Sequence, residues 1–151
     1  MTLLAKLEDD LKDAMRARDR LRLDTIRSIK ALAINEEIKR GATLTDQQVE
    51  EIVARLVRQH RESIEVFSKN QREDLAAKEK LELDILLSYL PEQLSADAIR
   101  ALAEEAATAV GAAGPGDKGK IMGRLMPQVK GKADGKLVNE VVMALLERLA
   151  A

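Results

Sequence analysis

Apolar residues recur along most of this chain at intervals of three and four positions, the spacing that aligns side chains on one face of an α-helix. Within residues 3–18 the positions on this spacing are Leu4, Leu7, Leu11 and Met15. The pattern continues from about residue 20 through Ile38 and stops at Gly41, a residue that readily adopts the left-handed backbone conformation found after helix ends. We therefore predict two amphipathic helices before Gly41.

Two further helices are predicted before Pro91. Thr45 and Gln48 have the spacing of a capping box, in which each side chain bonds to the other residue's backbone N–H at a helix start. The apolar pattern that follows predicts a third helix ending near Asn70. A fourth helix is expected over about 72–90, because a residue that precedes proline is disfavoured in the helical conformation.

The composition of the chain changes at Pro91, since all three prolines and seven of the eight glycines lie from this position onward. Ser95 is a suitable cap for a fifth helix ending at Gly111, and two short helical stretches follow, the second opened by Asp134. The predicted fold is therefore all-α. We expect an N-terminal domain of about four helices over residues 1–90 and a small three-helix tail domain over residues 91–151.

The amino-acid composition disfavours or excludes several classes of fold and function. Aromatic residues make up 1% of the chain, which disfavours strand-rich folds and aromatic platforms for stacking single-stranded bases. The absence of cysteine excludes disulfides, thiolate nucleophiles and zinc–thiolate sites. A net charge of −1 favours neither nucleic acid nor membrane as a partner of the whole chain. Because the first residues lack the features of a secretory signal peptide, we expect a cytoplasmic protein.

Residues 117–136 form a basic segment in which six cations stand against only Asp117 and Asp134, a local balance of +4. Its glycines allow close backbone approach, and its helix starts offer free N–H groups that favour anions. This pattern suits RNA or another polyanion, although a merely solvated basic surface has the same pattern. The predicted nucleic-acid-binding residues are Lys118, Lys120, Arg124, Lys130, Lys132 and Lys136. A second basic stretch, residues 16–30, is interpreted as solvated surface because its charges spread around a helix.

No catalytic, cofactor-binding or metal-binding residue is predicted. Gly114, Gly116 and Gly119 match the spacing of a dinucleotide fingerprint, but that fingerprint must follow a strand and here a helix is predicted before it. His60 is the only histidine, so a two-histidine metal site is excluded within one chain. Its spacing to Ser63 is interpreted as coincidence and His60 as an ordinary helix position, since nothing else in the sequence indicates a nucleophile with its base.

Three runs of sequence carry a resemblance to a known family. They are Tyr89–Ser95, Gly119–Pro127 and Lys130–Asn139, and together they look like the YqeY family. That family shares its C-terminal part with the tail domain of the B subunit of the tRNA-dependent amidotransferase. The runs Thr25–Arg27 and Arg72–Ala76 extend the resemblance to the N-terminal part.

The resemblance implies a helical domain ending near Leu90 and a helical tail domain from Pro91 onward. In the amidotransferase, the corresponding tail domain helps to hold tRNA. The family label is carbon–nitrogen ligase with glutamine as amide donor, which would apply to this chain only within a complex. We therefore expect a non-catalytic accessory protein that has no cofactor and binds tRNA. The expected further partner is an amidotransferase or an aminoacyl-tRNA synthetase. Binding to DNA or to a membrane is not expected. The alternative is a helical adaptor that binds a protein and has no role with RNA.

Overall fold

The computed structural model describes the whole chain from Met1 to Ala151. It contains seven α-helices and no strand, which confirms the predicted all-α fold. The helices are α1 (Leu3–Arg16), α2 (Arg20–Arg40), α3 (Asp46–Lys69), α4 (Glu73–Leu87), α5 (Ala96–Val110), α6 (Lys118–Val129) and α7 (Gly135–Ala150). The backbone forms two compact units, Met1–Pro91 and Glu92–Ala151. That each unit is an independent domain stays a prediction.

The helices of the first unit begin and end largely where local sequence signals predict. The capping box at the start of α3 is confirmed, because the Thr45 hydroxyl accepts from the Gln48 N–H and the Gln48 side chain accepts from the Thr45 N–H. Gly41 ends α2 with a φ of 68°, as predicted. After α1 and α3, non-glycine residues adopt the same left-handed conformation, with φ of 55° at Arg18 and 58° at Gln71.

The helices α3 and α4 form an antiparallel hairpin, and α2 packs against both of them. The short connection from Asn70 to Arg72 forces this arrangement, since it leaves room for little more than a reversal of direction. The side chains at the centre of this unit are fully or almost fully buried. They include Leu7, Ile26, Ile29, Val49, Val53 and Leu86.

The fourth helix ends earlier than predicted, at Leu87 rather than next to Pro91. The residues between them form a tighter turn, in which the N–H groups of Tyr89 and Leu90 donate to carbonyls three residues back. The α-helix thus ends before the residue that precedes proline, where the α-helical conformation is disfavoured. Tyr89 is thereby buried against the core of the first unit.

Two apolar positions in the predicted helix faces are exposed. Met15 is 53% exposed near the end of α1, and Ile38 is 74% exposed in the last turn of α2. The buried position near the end of α1 is instead Ala14. The three-and-four spacing identified the helices correctly, but it could not show which of their ends extend beyond the core.

The second unit contains α5, α6 and α7, with α5 packed against both of the others. Ser95 caps α5 and Gly111 ends it with a φ of 66°, both as predicted. Asp134 caps α7 by accepting from the Lys136 N–H. The fully buried side chains at the centre include Ile99, Ile121, Leu125, Val138, Val142 and Leu146.

None of the seven helices combines the length and the apolar character that crossing a membrane would require.

Candidate nucleic-acid interface

The predicted basic segment begins at a compact turn that precedes α6. Residues Pro115–Asp117 form a single turn of 3₁₀-helix, and the Asp117 carboxylate accepts from the N–H groups of Ala113, at 2.8 Å, and Gly114, at 3.4 Å. The same carboxylate lies 3.7 Å from the Lys120 ammonium. The two backbone donors, followed by Lys120, hold the pKa of Asp117 below its ordinary value. Asp117 therefore orders this turn and partly neutralises Lys120.

Only two of the three cations on α6 lie on the same face. Lys120 and Arg124 are four residues apart, which places them one above the other, and both are exposed. Lys118 is partly buried and lies on the opposite side, because two residues correspond to about 200° around a helix. Lys118 is thus separated from the pair that the helix brings together.

The other three cations lie at the far end of α6 and the start of α7. Lys130 and Lys132 are in the connection between these helices, Lys136 is in the first turn of α7, and all three are exposed. Hydrogen bonds attach the connection to the segment before α5. The Leu94 N–H donates to the Lys132 carbonyl at 2.7 Å, and the Gln93 amide donates to the Gly131 carbonyl at 3.0 Å. The backbone that carries these lysines is therefore well supported.

The length of α6 separates the cations into two groups. Its twelve residues span about 18 Å, so the lysines that follow α6 are far from Lys118 and Lys120 at its start. A single phosphate cannot contact both groups, but an extended polyanion can follow the helix from one to the other. The structure therefore contains a basic band along α6 rather than one compact patch.

The helix starts of this segment are poorer anion sites than the sequence indicates. Asp134 already occupies the start of α7, where its side chain accepts from the Lys136 N–H at 3.4 Å, and Asp117 immediately precedes α6. A carboxylate at a helix N-terminus is itself stabilised there and repels an approaching phosphate. The attraction for a polyanion therefore resides in the exposed lysine and arginine side chains.

The second basic stretch, residues 16–30, is extensively paired with acidic groups of the same unit. Arg16 lies 3.2 Å from Asp13, Arg20 lies 3.4 Å from Asp24, and Arg22 lies 3.6 Å from Asp10. The Lys30 ammonium also donates to the Glu8 carboxylate, which lowers the pKa of Glu8. This pairing leaves less free positive charge in the stretch than its composition indicates.

The glycine motif has the wrong structural setting for dinucleotide binding. Gly114 and Gly116 lie in the connection between α5 and α6, and Gly119 lies in the first turn of α6, whereas the fingerprint requires a preceding strand.

His60 differs from the ordinary helix position that the sequence favoured. Its Nδ1 lies 2.9 Å from the Leu56 carbonyl oxygen, while its Nε2 lies 2.9 Å from Glu82 Oε2 and 3.5 Å from Glu79 Oε2. The ring thus joins α3 to α4, and it does not hydrogen-bond to Ser63. Glu79 and Glu82 have the three-residue spacing of one helix face, but no signal in the sequence pairs that face with His60.

Comparison with protein-family models matches residues 4–146 to the family described as Yqey-like protein. Among curated proteins, the chain is 32% identical over 155 residues to the "Altered inheritance of mitochondria protein 41, mitochondrial" of Pyrenophora tritici-repentis, covering 95% of this chain and 81% of that protein. A protein of the same name from Eremothecium gossypii is 44% identical over 88 residues, 58% of this chain and 48% of the relative. The Saccharomyces cerevisiae protein is 36% identical over 85 residues, 56% of this chain and 46% of the relative. The match thus spans about half the length of the last two relatives.

These names contradict the predicted cytoplasmic location, because the similar relatives are named as mitochondrial. The prediction was wrong for an identifiable reason. It rested on the absence of a secretory signal peptide, whereas mitochondrial import uses a different, amphipathic and arginine-rich leader. The absence of the first kind of leader carries no information about the second.

Proposed function

The chain belongs to the YqeY family, and from that premise we propose that it is a non-catalytic accessory protein that binds the sugar–phosphate backbone of tRNA through the basic band of its second unit. The observation that carries this proposal is the exposure of five of the six cations along and beyond α6, on a backbone held by hydrogen bonds. The resemblance of this segment to the amidotransferase tail domain favours tRNA over other polyanions as the ligand.

The spacing of the cations favours an extended nucleic acid as the ligand. The cations at the two ends of α6 are separated by about the length of the helix, which is several times the distance between successive phosphates of one strand. Contacts of this kind position a nucleic acid and read its shape, but they do not read base sequence. The proposed recognition is therefore of folded RNA, with selectivity supplied by shape and by a partner enzyme.

The proposal assigns no reaction to this chain. Release of ammonia from glutamine needs a nucleophile with its base, but cysteine is absent and both nitrogens of the one histidine ring contact Leu56 and Glu82. An amidotransferase or an aminoacyl-tRNA synthetase would supply the chemistry, and this protein would help to hold the tRNA for it.

The test is the binding of purified protein to an unmodified tRNA transcript across a series of salt concentrations, beside a DNA duplex with the same number of phosphates. One variant combines Lys130→Ala, Lys132→Ala and Lys136→Ala. The matched control removes three exposed lysines of the first unit, Lys39, Lys78 and Lys80, and therefore changes the net charge equally.

Electrostatic binding predicts a fall of log K with log salt, with a slope that becomes shallower by about 0.7–0.9 for each phosphate contact removed. The first variant should therefore bind more weakly, with a slope shallower by about 2–3. The control variant should retain nearly wild-type affinity. Equal losses in the two variants would contradict the assignment to the basic band. No tRNA binding by the wild type at low salt would contradict the proposed function and favour the protein adaptor.

A further inference from the structure

The side chains of His60, Glu79 and Glu82 converge between the two helices of the α3–α4 hairpin. Their donor atoms all lie within 4.8 Å of one another. The three side chains are between 19% and 24% exposed, so the cluster is largely shielded from water but still accessible to it. All three belong to rigid helices, with His60 on α3 and the two glutamates one turn apart on α4.

The second contact of the His60 ring orients it for metal binding. A carbonyl oxygen can only accept a hydrogen bond, so the ring nitrogen facing the Leu56 carbonyl, Nδ1, carries the hydrogen. In the neutral ring, Nε2 then bears the lone pair, and this lone pair faces both carboxylates. A histidine that donates its other N–H to a backbone carbonyl is the usual arrangement around protein-bound metals.

The charges of the cluster are not balanced by the side chains alone. Neither glutamate forms an ion pair with a lysine or arginine, and the partner of each is His60. A doubly protonated ring would supply one positive charge against two carboxylates, which leaves a negative charge in a partly desolvated position. A divalent cation between a neutral ring and two carboxylates would bring the net charge of the cluster to zero.

The distances also fit a metal ion. Zinc bonds of about 2.0–2.2 Å in a tetrahedral arrangement place neighbouring ligand atoms roughly 3.3–3.6 Å apart. The 3.5 Å between His60 Nε2 and Glu79 Oε2 matches this spacing. The 2.9 Å between His60 Nε2 and Glu82 Oε2 is a hydrogen-bond distance, and it would lengthen by roughly 0.4 Å around an ion. An imidazole ligand favours zinc and other late first-row metals over magnesium and calcium, which prefer oxygen ligands only.

We propose that His60, Glu79 and Glu82 bind one divalent transition-metal ion, with zinc as the expected occupant, and that this ion joins α3 to α4. Three protein ligands and the partial exposure of their side chains leave a fourth coordination position for water or for a ligand from outside the chain. The site lies in the first unit and makes no use of the basic band. Its test is therefore independent of RNA binding.

The experiment uses the untagged full-length protein, stripped of metal with a chelator and titrated with zinc by calorimetry and by competition with a chromophoric chelator. We expect one ion per chain. His60→Gln and Glu82→Gln should each weaken binding at least about tenfold, because each removes a ligand. The matched control is Asp84→Asn, which removes an exposed carboxylate from the same helix. It should bind zinc as the wild type does.

A second measurement needs no variant. Because His60 is the only histidine, the imidazole nitrogen signals in an NMR spectrum report this ring alone. Zinc should shift the Nε2 signal and leave Nδ1 protonated, and it should raise the melting temperature of the wild type but not of Glu82→Gln. An unchanged Nε2 signal, or the same zinc affinity in His60→Gln, Glu82→Gln and Asp84→Asn, would overturn the proposal and leave His60 as an ion-paired side chain.

Discussion

Replacing Tyr89 by phenylalanine tests the contact that joins the turn after α4 to α1. Tyr89 is 4% exposed, and its hydroxyl donates to Asp10 Oδ2 at 2.6 Å. The other oxygen of the same carboxylate lies 3.6 Å from the Arg22 guanidinium. Tyr89→Phe removes the hydroxyl but keeps the buried ring, including its contact with the Lys6 ammonium 5.4 Å from the ring centroid.

The expected loss follows from the charge of the acceptor. Hydrogen bonds to charged groups contribute about 1.5–3 kcal/mol to the free energy of unfolding. Asp10 keeps its contact with Arg22 in the variant, so it is not left as an unpaired carboxylate. We therefore expect the lower part of that range, about 1.5–2 kcal/mol near neutral pH.

The same contact predicts a dependence on alkaline pH. Burial away from water, followed by the hydrogen bond and the negative charge of Asp10, raises the pKa of Tyr89 above its ordinary value of about 10. Above pH 10 the unfolded chain loses the phenol proton while the folded chain retains it, so the unfolded state binds fewer protons and stability falls with pH. The advantage of wild type over Tyr89→Phe should therefore be complete below pH 10 and shrink by up to about 1.4 kcal/mol per unit above it.

Two assays decide the outcome. Urea unfolding followed by circular dichroism measures the free-energy difference, and the double variant with Asp10→Asn isolates the coupling between the two side chains. Absorbance at the tyrosinate band reports Tyr89 directly, because the chain has one tyrosine and no tryptophan. A phenol that titrates near pH 10 in the folded protein, or a Tyr89→Phe variant as stable as the wild type, would refute the reasoning.

Three other substitutions test local and packing signals, each by thermal or urea unfolding. Thr45→Ala removes the capping box of α3 and should destabilise the protein by about 1 kcal/mol, whereas an unchanged midpoint would mean that the cap is redundant. Gln71→Gly should stabilise it by about 0.5 kcal/mol, because relief of the left-handed strain exceeds the added freedom of the unfolded chain. Leu125→Ala empties a fully buried position of the second unit and should cost about 2–5 kcal/mol, and a loss below 1 kcal/mol would show that the core collapses around it.

Helix positions were predictable because their signals are local. Thr45 with Gln48, Ser95 and Gly111 act on backbone groups within a few residues, so their role follows from adjacent sequence. The ends of α1 and α3 were harder to place. Arg18 and Gln71 adopt the left-handed conformation, and their N–H groups donate to the carbonyls of Met15 and Ser68 as a glycine after a helix would. Neither residue type marks a helix end in the sequence.

The basic segment was identified from its charges, but its geometry was not predictable from them. The sequence shows six cations among twenty residues, yet α6 divides them by its length and turns Lys118 away from Lys120 and Arg124. The role of Asp134 as a cap was predicted from its position before the last helix. Its effect on anion binding follows from the bond that it forms with the Lys136 N–H.

The all-α fold and most helix ends followed from the amino-acid order, because helical periodicity and capping involve neighbours within one or two turns. The contacts with chemical consequence join residues that are distant in the chain. Tyr89 meets Asp10 across 79 positions, and His60 meets Glu82 across 22. Such pairs depend on how the helices pack and rotate against one another. Burial of the whole core determines that packing, and no local sequence pattern encodes it. The folding of α4 against α3 is what turns an ordinary helix histidine into a candidate metal ligand.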